Sequence, residues 1–188
     1  MAMAPGNYIA HNHFQDLSRN GIFAFRNQGG NVVEYNHIHD AMQTTIDGAC
    51  IHFASMNHLN APNYILNNYL YDIWGYEQKP DGKPIRRLAN GIFLDWATSN
   101  TTVKNNYIYN ATGESIKKIM GNCNLNIAGN KESQTCIEPP FIQEIGPGCT
   151  ATNRIDIEKN YLTGSVIHYA DTKFVESCTC PTLKMHQM

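Results

Sequence analysis

Long apolar runs are missing from this 188-residue sequence, so no segment qualifies as a membrane-spanning helix. Charge is scarce too. Only 16% of residues are charged and the formal net charge is -2, which argues against nucleic acid or an anionic membrane as partner. The start, Met1-Ala2-Met3-Ala4-Pro5, lacks the basic and apolar regions of a signal peptide. No stretch holds a helical period for the length of a helix. Paired Cys-x2-Cys spacings are absent, which excludes the usual cysteine-based zinc sites.

The six cysteines are therefore read one by one. Cys50 lies in a strand-like phrase and is expected to be single. Cys123, Cys136 and Cys149 are evenly spaced around an irregular insertion, a spacing that allows one disulfide. Cys178 and Cys180 are too close for an easy mutual bridge.

What the chain does have is asparagine in a recurring phrase. It is clearest at Val103-Lys104-Asn105-Asn106-Tyr107-Ile108-Tyr109-Asn110, with relatives around Asn36 and Asn68 and weaker copies at Asn12, Asn130 and Asn160. The asparagine spacings are 24, 32, 38, 24 and 30, a floor near 24 with insertions above it. A second phrase is interleaved: Asn20-Gly21-Ile22-Phe23-Ala24-Phe25, Asp47-Gly48-Ala49-Cys50-Ile51-His52 and Asn90-Gly91-Ile92-Phe93-Leu94-Asp95, with looser forms at Gly113 and Gly164. Two short strand phrases alternating at a minimum period predict an all-β solenoid. Equivalent residues then stack about 4.8 Å apart, so an inward asparagine can bond its own equivalent one coil away. Asparagine also tolerates the left-handed backbone of a tight corner.

The predicted domain is a β-helix over residues 1–170 with insertions at 73–89 and 131–152, followed by a tail or cap at 171–188. The repeat is already under way at Gly6-Asn7-Tyr8-Ile9 with no capping element. The expectation is a chain lacking its first coils and able to self-associate through an uncapped end. Glycosylation sequons at Asn100 and Asn110 fall in repeat turns.

The strand phrases resemble the right-handed parallel β-helix repeat of pectate-lyase-like carbohydrate-active proteins, and are most similar to those of bacterial β-helix glycoside hydrolases. That resemblance covers residues 6–130 well and 153–170 loosely. It implies a right-handed helix of about five to six coils, a polysaccharide or oligosaccharide substrate, no cofactor, and a secreted, periplasmic or cell-surface location. The same coil hosts several chemistries, so it specifies the fold more than the reaction.

Alternation along the glycine phrase points Ile22, Ala24, Ala49, Ile51, Ile92, Leu94 and Ile116 inward. Aligning the glycines stacks Phe23, Cys50, Phe93 and Ser115 in one outward column, and Phe25, His52, Asp95 and Lys117 in a second. His52, Asp95 and Lys117 are the predicted catalytic set, because an aspartate between two cationic groups stays ionised and such coupled groups move protons. Phe93 and Trp96 add sugar-stacking surface. The 73–89 insertion is expected to wall the groove, with Trp74 and Tyr76 stacking on sugar and Arg86 and Arg87 binding carboxylate or sulfate.

His11, His13, His37 and His39 exchange with tyrosines in later repeats, which favours packing, and no metal is predicted. Asp40, Asp72 and Asn110 stack as turn residues.

Three functions follow. A glycoside hydrolase needs two carboxyl groups, and Asp95 supplies one, with Glu77 or Asp81 as candidates for the second. A lyase or uronate epimerase needs a base and a carboxylate neutraliser, which His52 or Lys117 and Arg86 or Arg87 could be. No acidic cluster suggests calcium. The third is a non-catalytic solenoid that binds glycans or forms an assembly.

Overall fold

Three parallel β-sheets are laid down in rotation by a chain that repeats the same three strands on each pass. The computed structural model describes residues 4–26, 28–55, 61–78, 84–86, 89–96, 98–118, 124–133 and 155–158. The first pass forms β1 (Tyr8–Ala10), β2 (His13–Phe14) and β3 (Ile22–Phe25). The second forms β4 (Val32–Glu34), β5 (His37–Ala41) and β6 (Gly48–Ala54). The third forms β7 (Asn63–Leu66), β8 (Tyr69–Ile73), the excursion β9 (Tyr76–Gln78) and β10 (Pro84–Arg86), then β11 (Ala89–Asp95). After these come β12 (Thr101–Lys104), β13 (Tyr107–Ala111), β14 (Ile116–Lys118), β15 (Leu125–Ala128), β16 (Lys131–Ser133) and β17 (Ile155–Glu158).

Sheet I stacks β1, β4, β7, β12, β15 and β17. Sheet II stacks β2, β5, β8, β13 and β16, and sheet III stacks β3, β6, β11 and β14. All pairings within these sheets are parallel, whereas β9 and β10 form a separate antiparallel hairpin inside the 73–89 insertion. The architecture is all-β and consistent with a parallel β-solenoid. Among the described residues no helix is long and apolar enough to cross a membrane. Asn160, the expected coil at 153–170 apart from residues 155–158, the tail at 171–188, Arg87, Asp81 and every cysteine except Cys50 lie outside the described residues.

The core is a set of stacked apolar columns rather than a ball. Val33, Ile65, Val103 and Ile127 stack in sheet I, and Ile38, Leu70 and Ile108 in sheet II. Sheet III contributes Ile22, Ile51, Ile92 and Ile116, all buried as alternation requires. β-Branched side chains dominate because they pack well on a pleated, fully covered surface.

The ladder of Asn12, Asn36, Asn68, Asn106 and Asn130 sits at the corner between sheets I and II. Each of the first four donates its carboxamide N–H to the Oδ1 of the next, at 3.0, 3.0, 2.9 and 2.9 Å. That same Oδ1 also accepts the preceding rung's backbone N–H. The left-handed backbone falls on the residue before each rung, and not on the rung itself. His11, Tyr35, Asn67, Asn105 and Gly129 have φ of 57°, 52°, 54°, 55° and 65°. A ladder asparagine needs its carboxamide turned inward, so its neighbour makes the corner. Asp16, Asp40, Asp72 and Asn110 form a second left-handed column at the far end of sheet II, which agrees with a turn role for the last three.

A further ladder was not read from the sequence. Asn7 donates to Asn31 at 2.7 Å and Asn31 to Asn63 at 3.0 Å, at the entry to sheet I. It is shorter because Thr101 and Leu125 take the equivalent positions on β12 and β15.

Candidate functional site

The outer face of sheet III carries the candidate site, and its register corrects the sequence alignment. Ile22, Ile51, Ile92 and Ile116 pair across the sheet. Gly21 and Gly91 therefore occupy one level, while Gly48 and Gly113 lie two residues earlier on their own strands. The close approach explains why the glycines misled. A Cβ at Gly91 would stand 2.6 Å from both the Ser115 carbonyl oxygen and Ile108, whereas one at Gly48 would meet Asn20 and Met42. Two different crowded places each demanded glycine.

Because the slip is two residues, side chains keep their faces but change their neighbours. The predicted columns of Phe23, Cys50, Phe93 and Ser115, and of Phe25, His52, Asp95 and Lys117, are replaced. The actual outward column is Phe23, His52, Phe93 and Lys117, and beside it run Phe25, Ala54 and Asp95. Cys50 is not on the surface at all. It is fully buried in the core, its thiol 4.0 Å from the Ile38 carbonyl oxygen, and burial pushes that thiol well above its ordinary pKa.

His52 and Asp95 still meet, diagonally rather than in line. The His52 ring lies between Phe23 and Phe93, with centroids 4.8 and 4.5 Å away. It reaches sideways over Ala54, and its Nε2 stands 3.3 Å from Asp95 Oδ2. Asp95 Oδ1 accepts the backbone N–H of Trp96 at 2.8 Å, which fixes the carboxylate. The His52 side chain is only 6% exposed and that of Asp95 14%, so the carboxylate is the more open member. Buried Nδ1 of His52 has no hydrogen-bond partner.

Lys117 does not touch Asp95 through its column. Its Nζ lies 5.0 Å from the centroid of the Phe93 ring, a cation–π arrangement on a nearly buried lysine. Trp96 is exposed and in the left-handed region with φ 39°. Its ring reaches to 6.1 Å from that of Phe25, although β6 separates their strands by two sheet spacings, about 9.6 Å. The small Ala54 side chain leaves that span open. Phe25, Trp96 and Asp95 thus form one surface patch with a fixed carboxylate, whereas Phe93, expected to stack on sugar, is fully buried with His52 beneath it and offers no open face.

The insertion residues serve a different corner. The Trp74 indole N–H donates to Asp40 Oδ1 at 3.4 Å, and the Tyr76 backbone N–H donates to the Thr45 carbonyl. These contacts fasten the excursion where sheet II turns toward sheet III. Arg86 lies in hairpin strand β10.

Sheet II has its own chemistry on its outer face. His13 pairs with His37, and their rings stack at 4.6 Å. His13 Nε2 is 2.8 Å from His39 Nε2, and His39 Nδ1 is 2.7 Å from Asp40 Oδ2. Burial, and then the neighbouring His13 and His39, lower the pKa of His37. Further along the face the rings become tyrosines, with Tyr69 stacked on Tyr107 and Tyr71 on His39.

Comparison with known proteins finds no matching family model, no matching curated protein and no matching solved structure.

Proposed function

We propose that this chain is a right-handed parallel β-helix of the pectate-lyase-like kind, wound in about five to six coils, that cleaves a polysaccharide laid across the outer face of sheet III. The observation that carries this reading is a fixed carboxylate, Asp95, held 3.3 Å from a screened imidazole beside an exposed indole. Trp96 offers a sugar ring a flat apolar face, and Asp95 stands at its edge. In this reading Asp95 meets the glycosidic bond as the proton-transferring group, while His52 orients it from behind. Hydrolysis requires a second carboxyl group roughly 5–10 Å away, and Glu77 and Asp81 of the insertion are the candidates in this chain. Substrates of this class lie outside the cytoplasm, so the proposal includes a secreted, periplasmic or cell-surface setting.

A second reading, eliminative cleavage or epimerisation of a uronate, is favoured by Lys117 on the same face, since a cation there can neutralise the sugar carboxylate. Digestion of neutral and uronate-containing polysaccharides separates the two. New reducing ends without an ultraviolet-absorbing product support hydrolysis, and an unsaturated product supports elimination. Absence of turnover and of glycan binding on both substrate classes would sink the proposal.

A further inference from the structure

Three histidines of sheet II converge on its outer face. We propose that His13, His37 and His39 bind one first-row divalent transition-metal ion, with Zn2+ as the reference ion and Asp40 as the carboxylate that orients the set. The candidate ligand atoms all lie within 4.8 Å of one another. Tetrahedral zinc with bonds near 2.05 Å holds its nitrogens about 3.3 Å apart, so the 2.8 Å contact between His13 and His39 needs to open by only about half an ångström.

The hydrogen bonding fits. A carboxylate can only accept, so the 2.7 Å contact with Asp40 makes Nδ1 of His39 the donor and leaves Nε2 as the atom that faces His13. A carboxylate behind a ligating histidine is the usual way to fix its tautomer and orientation. Asp40 is itself held, because its other oxygen accepts the Trp74 indole N–H. His37 provides an independent observation. Its Nε2 is buried with no hydrogen-bond partner, a dry polar atom that coordination would satisfy.

Packing alone does not require imidazole here. Tyr69 and Tyr107 continue the column of His13 and His37, and Tyr71 and Tyr109 continue that of His39. In these columns of sheet II, histidine occurs among the described residues only on the adjacent strands β2 and β5, where three rings can share one ion. A single His13-to-His39 hydrogen bond is the competing account. It leaves His37 Nε2 unsatisfied.

The test uses the chain produced without a polyhistidine tag. Titration with Zn2+ is read by calorimetry, and titration with Co2+ by its visible absorption. One ion per chain at micromolar affinity or tighter is expected, with the intense bands of four-coordinate cobalt. His37→Tyr and His39→Tyr keep the aromatic stack, retain the fold by circular dichroism, and weaken binding at least a hundredfold. Asp40→Asn weakens it ten- to a hundredfold. His11→Ala, outside the cluster, leaves it unchanged. No saturable one-to-one binding, or affinity unaltered by His39→Tyr, overturns the site.

Discussion

His52 pairs in register with Phe93, yet its imidazole bonds Asp95, two residues further along β11. The diagonal matters because it places the carboxylate beside the exposed Trp96 and tucks the histidine between two phenyl rings. Asp95→Asn is therefore expected to lower turnover by about a hundredfold or more, in the range of one lost acid–base group. His52→Ala is expected to cost less, about tenfold, and to add nothing to Asp95→Asn. Steady-state rates of the two single variants and the double variant check this. Additive losses would mean that the residues act separately.

Asn106 accepts from the backbone and side chain of Asn68, and donates to Asn130, Ile65 and Lys104. Asn106→Leu strands several buried groups, each costing about 1–3 kcal/mol. A loss of about 4 kcal/mol in denaturant unfolding is expected. The same change at the exposed Asn12 should cost about 1 kcal/mol.

Tyr35 adopts φ 52° where later turns place Asn67, Asn105 and Gly129, and its ring stacks on His11, the equivalent residue one pass earlier, at 5.2 Å. Tyr35→Asn relieves a backbone cost of about 1–2 kcal/mol and gives up a smaller stacking contribution. A net gain of about 0.5–1 kcal/mol is expected, seen as a melting temperature raised by a few degrees.

Burial raises the Cys50 thiol pKa, so the folded state keeps its proton where the unfolded chain would lose it. The contribution of this group to stability is present below the ordinary thiol pKa near 8.5 and is lost as pH climbs above it. Cys50 should resist alkylation in the native protein and react fully in denaturant. Peptide-resolved labelling reads this directly, and native reactivity at neutral pH would contradict the buried placement.

Much of the fold was legible because Asn36, Asn68 and Asn106 keep the same apolar flanks in each copy. The inward isoleucines of sheet III followed too, since period-two alternation survives a two-residue slip, but Cys50, expected to point outward, lies in the core. The slip itself was not legible. Gly48 and Gly91 are both forced by crowding, but against different neighbours, Met42 in one case and Ile108 in the other. No sequence pattern separates those causes. The histidines show the opposite limit. Their exchange with tyrosine was readable as packing, whereas the 2.8 Å approach of His13 to His39 depends on side-chain direction.

Each interior ladder asparagine touches three successive passes of the chain. Asn68 donates backward to the Val33 carbonyl and forward to Asn106, and receives from Asn36. In a plain stack of repeats, cooperativity runs only between nearest neighbours. A rung bonded to the passes on both sides of its own adds a polar term to that nearest-neighbour coupling and so lengthens the correlation of the folded state along the axis. Opening should therefore start at a terminus, where a pass loses one interface, and not in the middle, where it loses two.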